Sequence, residues 1–269
     1  MSCSKYFFAI VLASLISFSA YANEQTCQQL ADRFNKDNAS PNSAYNMACC
    51  AALKGDIENA FSYLELSIEK GFKDHQWMIK DSDLTSLHQD SRWAELVQQA
   101  TDAETLYLSK INVELYELYQ ADQSDRQSET IDWNIVGKRD EMRQARVHEL
   151  LSANKLSHGD DFFHAAMVMQ HGGSSKDYKL ANELSLKAAE LNPSNKTAKW
   201  LACAAEDRYL QSIGKPQIWG TQYKKQNKDA PWTLEPFDQT VKTDKQRVEM
   251  GVRTIKESLA RVEQMNGKK

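Results

Sequence analysis

The chain has 269 residues, a formal net charge of −4, 41% hydrophobic and 26% charged residues. With no Lys/Arg block to offset that mildly acidic balance, a nucleic-acid partner is excluded, and the length suffices for one large or two small globular domains with a real core. Five prolines occur, three of them at positions 216, 231 and 236, so helix breakers gather in one stretch.

Lys5 precedes the apolar run Tyr6 to Phe18, and Ala20-Tyr21-Ala22 has the small-x-small form cut by signal peptidase. Residues 1–22 therefore read as a secretory signal. The run is shorter than the roughly 20 residues of a membrane span and no second one follows, so the expectation is an exported, soluble protein with no membrane anchor. Loss of Lys5, the only charge in that segment, takes the net charge from −4 to −5. Cys27 lacks the Leu and small residues that lipidation requires. The mature cysteines are Cys27, Cys49, Cys50 and Cys203. A disulfide from Cys27 to Cys49 or Cys50 would join two neighbouring helices. Cys49 and Cys50 diverge by about 100° on a helix, and without a Cys-x-x-Cys spacing they build no zinc cage.

From Pro41 onward Tyr45, Ala48, Ala52 and Leu53 recur at helical spacing, Gly55-Asp56 breaks the run, and Ala60, Phe61, Leu64 and Ile68 form a second helix ended by Gly71. This hairpin resembles one tetratricopeptide unit, although the family's leading Trp is missing. Gly71-Phe72, Trp77, Asp81, Asp83-Leu84, Leu87, Asp90 and Arg92-Trp93 resemble the tail that closes bacterial segments of that kind. Their Asp residues are expected to cap short helices and their Trp residues to be core. One hairpin cannot bury a continuous core alone, so it packs on something else and offers a surface for a protein partner. Leu108, Ile111, Leu115 and Leu118 then predict a helix leading directly into Asp122.

The polar motifs follow. Asp122 and Arg126, four apart, share a helix face and can pair, with Gln123 pointing elsewhere. Arg139, Arg143 and Arg146 form a stripe with Glu141 and Glu149 near. Ser157-His158-Gly159-Asp160 has the form of a capping box opening a helix that ends at Gln170-His171, where a helix C-terminus favours a charged imidazole near neutral pH. Asp161, His164 and His171 lie along one stripe, but His164 and His171 are about 10 Å apart along the axis, so no metal and no other cofactor is expected. A second hairpin runs from Tyr178 through Pro193 and Trp200 to Asp207-Arg208, adjacent residues that each need their own partner. About 30 residues from Gly214 to Lys242 lack periodicity, which marks an ordered functional loop; it carries Gln217, Trp219, Gly220, Thr221 and Gln222. Thr243 to Gln246 forms a capping box for a C-terminal helix through Val248, Val252, Ile255 and Leu259.

Taken in order, Asp122-Gln123-x-x-Arg126, Gln170-His171, Asp207-Arg208, Gln217-x-x-Gly220-Thr221-Gln222 and Asp244-x-x-Arg247 resemble the motif series of a bacterial domain family of unknown function that often follows tetratricopeptide-like segments. Trp219 stands where that series has Tyr. The resemblance implies a bacterial protein with an all-helical fold and a shared polar pocket. With the secretory signal and no anchor the expected destination is the periplasm, and the residue pattern makes the expected all-α fold one of stacked antiparallel hairpins, tetratricopeptide-like, with one long ordered loop near the C-terminus. The organisation expected is a signal at 1–22, a tetratricopeptide-like segment at 23–100 and a helical domain carrying the motifs at 101–269. In the first functional reading Asp122, Gln123, Arg126, Arg143, Gln170, Arg208, Gln217, Trp219, Thr221, Gln222 and Arg247 bind a small polar or anionic ligand through forked donors, amides and one aromatic face. In the second, His171 is a general acid or base oriented by Asp207 in a hydrolytic or transfer reaction. In the third the same residues merely fix a helical scaffold.

Overall fold

The computed structural model describes residues 24–127 and 130–267; the secretory signal read at 1–22 lies outside them. The described chain is all-helical, with isolated bridges in place of strands, and it divides into two compact units, one ending at Lys110 and one starting at Ile111. The boundary drawn at residue 100 thus falls inside a helix. Among the described residues no helix is long and apolar enough to cross a membrane.

In the first unit α1 (Glu24–Ala31) packs on α2 (Pro41–Leu53), which pairs with α3 (Ile57–Glu69). Ser40 and Ser43 cap α2 reciprocally, and Pro41, which has no N–H to leave unpaired, starts the helix. Between the two helices Gly55 takes φ +75° and Asp56 accepts from the Asn59 amide, which ends one helix and starts the next. A short α4 (His75–Lys80), a 3-10 turn (Ser82–Leu87) and α5 (Trp93–Leu108) complete the unit. Tyr45, Ala48, Phe61, Leu64, Met78, Leu84, Leu87 and Leu96 form one buried cluster. Asp81 caps the 3-10 turn as expected, whereas Asp83 lies inside that turn, and Asp74 caps α4. Trp93 packs against the core, whereas Trp77 is 41% exposed and is not a core residue. Cys27 bonds Cys50, leaving Cys49 and Cys203 as buried free thiols. Closing a loop of that size stabilises the unit by about 3 kcal/mol in the chain-entropy account.

The expected helix through Leu108, Ile111 and Leu115 does not exist. α5 stops at Leu108, and Asn112, in an extended conformation, accepts from the Leu115 amide to open α6 (Val113–Asp125). A local side-chain cap outcompetes a pattern that was periodic in sequence alone. Beyond α6 come α7 (Trp133–Ser152), α8 (Gly159–Met169), α9 (Ser175–Leu191) and α10 (Lys196–Ser212). α8 packs on α6, α7 and α9, and α9 on α10. Gly159 permits a close approach to the end of α9, because a Cβ there would lie 3.2 Å from the Asn192 Cβ and 3.3 Å from the Leu191 Cβ. The cap of α8 is His158 with Asp161, one residue later than the expected Ser157 box. Asp161 accepts from the Ser157, His158 and Asn112 amides, and the His164 ring stacks on Tyr119. Ser174 and Asp177 close the turn after Gly172-Gly173 by capping α9 reciprocally. The expected single C-terminal helix is two, α11 (Asp244–Glu249) and α12 (Ile255–Met265), interrupted where Gly251 takes φ +72° and Thr254 caps anew.

Candidate functional site

Two polar networks occupy the second unit. The first starts at Asp122, whose carboxylate is fully buried near the end of α6. Its Oδ1 accepts from Arg126 Nη1 at 3.0 Å and from His171 Nδ1 at 2.9 Å, and its Oδ2 accepts from Gln123 Nε2 at 2.7 Å. Gln123 therefore turns toward its neighbour instead of away from it. Arg126 reaches on to Asp140 at 2.6 Å, and Arg143 bridges Asp140 and Asp125, which also pairs with Arg139. Arg146 pairs instead with Glu114 and Glu149 at the surface. Asp125 and Asp140, absent from the sequence-derived site, complete the chain of alternating charges. The i,i+3 spacing of Asp140 to Arg143 was the available signal.

His171 lies just beyond α8 with a side chain 4% exposed. An ionised carboxylate can only accept, so Nδ1 carries the proton in the bond to Asp122. Nε2 is buried, and no protein group among the described residues hydrogen-bonds it. Burial pushes the imidazole below its ordinary pKa; Asp122 opposes that shift, while the charges of Arg126 and Arg208 add to it. The helix-end position is expected to favour a charged imidazole, and burial acts against that, outweighing the carboxylate that supports the charge. Arg208 donates to the Gln170 carbonyl at 3.2 Å, and its charge also acts on Tyr178. The Gln170 side chain turns the other way, toward the Met167 sulfur.

Asp207 does not orient His171. It belongs to the second network, where its Oδ1 accepts from the Ile218 and Trp219 amides at 2.8 and 2.9 Å. Its Oδ2 accepts from the Thr221 amide at 3.0 Å and the Thr221 hydroxyl at 2.7 Å. Burial raises this carboxyl against the pull of those bonds. Arg247, fully buried, donates to the Ile218 and Trp219 carbonyls from the opposite side. Gln217 and Gln222 exchange side-chain and backbone bonds, and the Gln217 side chain also donates to the Leu234 carbonyl. Gly220 adopts φ +72°, and a Cβ there would meet the Phe237 ring at 2.8 Å. Trp219 is 6% exposed, with its indole N–H on Glu206 and Lys242 over its ring, so it offers no open face to a ligand. These contacts commit Asp207, Gln217, Thr221, Gln222 and Arg247 to fixing the loop.

The paired charges carry a pH dependence. Burial acts to raise Asp125, but hydrogen bonds from Arg143 and Arg139 outweigh it and hold the carboxyl below the usual range. With the folded value depressed, the stability that Asp125 contributes is present above the ordinary aspartate pKa of about 3.9 and is lost as pH falls through the folded value. Acid titration followed by circular dichroism should show Asp125→Asn with a shallower loss of structure below about pH 4. An acid limb identical to that of the parent would remove Asp125 from this role.

Compared with protein-family models, with curated proteins and with solved structures, the chain matches none.

Proposed function

We propose that the second unit binds a small, uncharged hydroxyl-bearing ligand at the Asp122–His171 pair. The observation that carries this reading is the buried Nε2 with no hydrogen-bond partner among the described residues, on an imidazole whose other nitrogen is tied to a buried carboxylate. A buried acceptor left unmet costs about 1–3 kcal/mol, so such atoms call for a partner. In the neutral ring Nε2 accepts and does not donate. A cationic ligand is disfavoured there by the charges of Arg126 and Arg208, and an anionic one needs the ring to gain a proton that burial opposes. A hydroxyl meets the atom without either cost.

A thermal-shift screen of polyols, sugars and hydroxy acids tests the proposal, because a ligand binding only the folded state raises the midpoint by mass action. A compound that stabilises the parent chain should lose its effect on His171→Leu, while the ligand-free stability of that variant stays within about 1 kcal/mol of the parent, since the lost bond to Asp122 is offset by removal of the unmet Nε2. Equal stabilisation of both proteins, or no hit on the parent, would overturn it.

One observation favours a second reading at the same atom. A neutral imidazole, held through Nδ1–H by Asp122 with Nε2 directed elsewhere, has the arrangement of a general base, and the hydroxyl it deprotonates is then water or the ligand's own. Product formed from a screening hit by the parent chain separates catalysis from binding, since a ligand that is only bound is recovered unchanged. Export is also part of the proposal: it is supported by the pattern of residues 1–22 and by the Cys27–Cys50 disulfide, a bond that persists in oxidising compartments.

A further inference from the structure

The first unit holds a free thiol next in sequence to a disulfide. Cys50 is bonded to Cys27, and Cys49, on the same helix, is buried and reduced. Neighbouring helical positions point about 100° apart, and Cys49 faces the core, where its Sγ lies 3.7 Å from Asp81 Oδ2. That oxygen also accepts from the Tyr45 hydroxyl at 2.8 Å, while Asp81 Oδ1 caps the 3-10 turn through the Asp83 amide. The Asp81 carboxylate is itself buried and is held between two helical elements. Sequence alone left open which of Cys49 and Cys50 pairs with Cys27.

We propose that Asp81 sets the disulfide pairing of this unit: by accepting the Cys49 S–H it keeps that thiol from attacking the neighbouring Cys27–Cys50 bond. The step it suppresses needs no oxidant or reductant. A Cys49 thiolate attacks the Cys27 sulfur, a Cys27–Cys49 bond forms as the Cys27–Cys50 bond breaks, and the electron pair leaves on Cys50, which takes up the proton that Cys49 released. Only the thiolate attacks. The charged and titratable groups acting on Cys49 are Asp81 and Asp83; together with burial, the largest influence, they push the thiol well above its ordinary range. Tyr45, raised by the same burial, remains a neutral donor to Asp81. Asp83 is also buried and raised by burial and by Asp81, so Asp81 is the acceptor that engages the thiol directly.

The test is peptide mapping of the full chain without reduction, after incubation at mildly alkaline pH. The parent should show Cys27–Cys50 alone. Asp81→Asn keeps the size of the side chain and removes its charge, and should exchange to Cys27–Cys49 at least about threefold faster, because each unit of pKa lost raises thiolate about tenfold and lowers its nucleophilicity about threefold. Tyr45→Phe disturbs the same packing but leaves the carboxylate, and should keep the parent pairing. Native pairing in Asp81→Asn at the parent's rate would overturn the proposal, as would equal scrambling in Tyr45→Phe, which would make loosened packing the cause. Should Asp81→Asn fail to fold, Cys50→Ala decides. With Asp81 in place, Cys27 and Cys49 should stay reduced in a glutathione buffer that oxidises the parent, and ready formation of Cys27–Cys49 there would overturn it.

Discussion

Asp207→Ala is expected to cost about 3–5 kcal/mol, the range for stripping one partner from a buried charged network, and to lower the thermal midpoint by about 10 °C for a unit of this size. The carboxylate alone receives the Ile218, Trp219 and Thr221 amides. Each donor left buried without an acceptor costs about 1–3 kcal/mol, and Arg247 gives no compensation because it binds carbonyls. Asp207→Asn keeps one acceptor oxygen for the first two amides and should cost roughly half as much. Calorimetric melts of the two variants read the difference. A loss below about 1 kcal/mol for Asp207→Ala would mean that the loop is held elsewhere, and the division between a structural and a ligand-facing network would fall with it.

Asp122→Ala should be comparably severe, again about 3–5 kcal/mol, because it strands His171, Gln123 and the buried end of Arg126 together. The coupling distinguishes it from a simple cavity. In a double-mutant cycle with Arg126→Met the two costs should fail to add by about 1–3 kcal/mol, as expected for contacting members of one network. Additive losses would mean that Asp122 acts through packing, and the assignment of the His171 tautomer would lose its basis. The two Asp variants also contrast in function. Ligand response should disappear in Asp122→Ala even where the fold persists at low temperature, since Nδ1 is then no longer held as the donor.

Sequence pattern revealed the elements better than their partners. Tyr45, Ala48, Phe61 and Leu64 announced the first hairpin because helix burial repeats at 3.6 residues, and the Thr243 box located the start of α11 because capping is local. Where two local signals competed, the apolar period masked the one that prevails: Asn112 breaks the Leu108–Leu115 stripe, and Gly251 splits the last helix. The polar motifs told where charge is buried but not who meets whom. Nothing in the spacing of Asp122 and His171, 49 residues apart, distinguishes that pair from His171 with Asp207, since both depend on how α6 and α10 approach α8. Desolvation was likewise hidden, because the helix-end position of His171 is local whereas its burial is a property of the packed unit.

The pairing of Lys224 with Thr233 has a consequence for how the protein tolerates change. It closes the long loop into a stem, so Gln226 to Asp229 form an exposed tip on the far side of that stem from the clamps at Asp207 and Arg247. Trp232, at the base, is pinned through its backbone to Asn266. Length variation is absorbed where backbone groups already face water. Added residues, an epitope or a fluorophore spliced between Gln226 and Asn227, ahead of the turn in which Asn227 accepts from the Asp229 and Ala230 amides, therefore stand outside the folded unit.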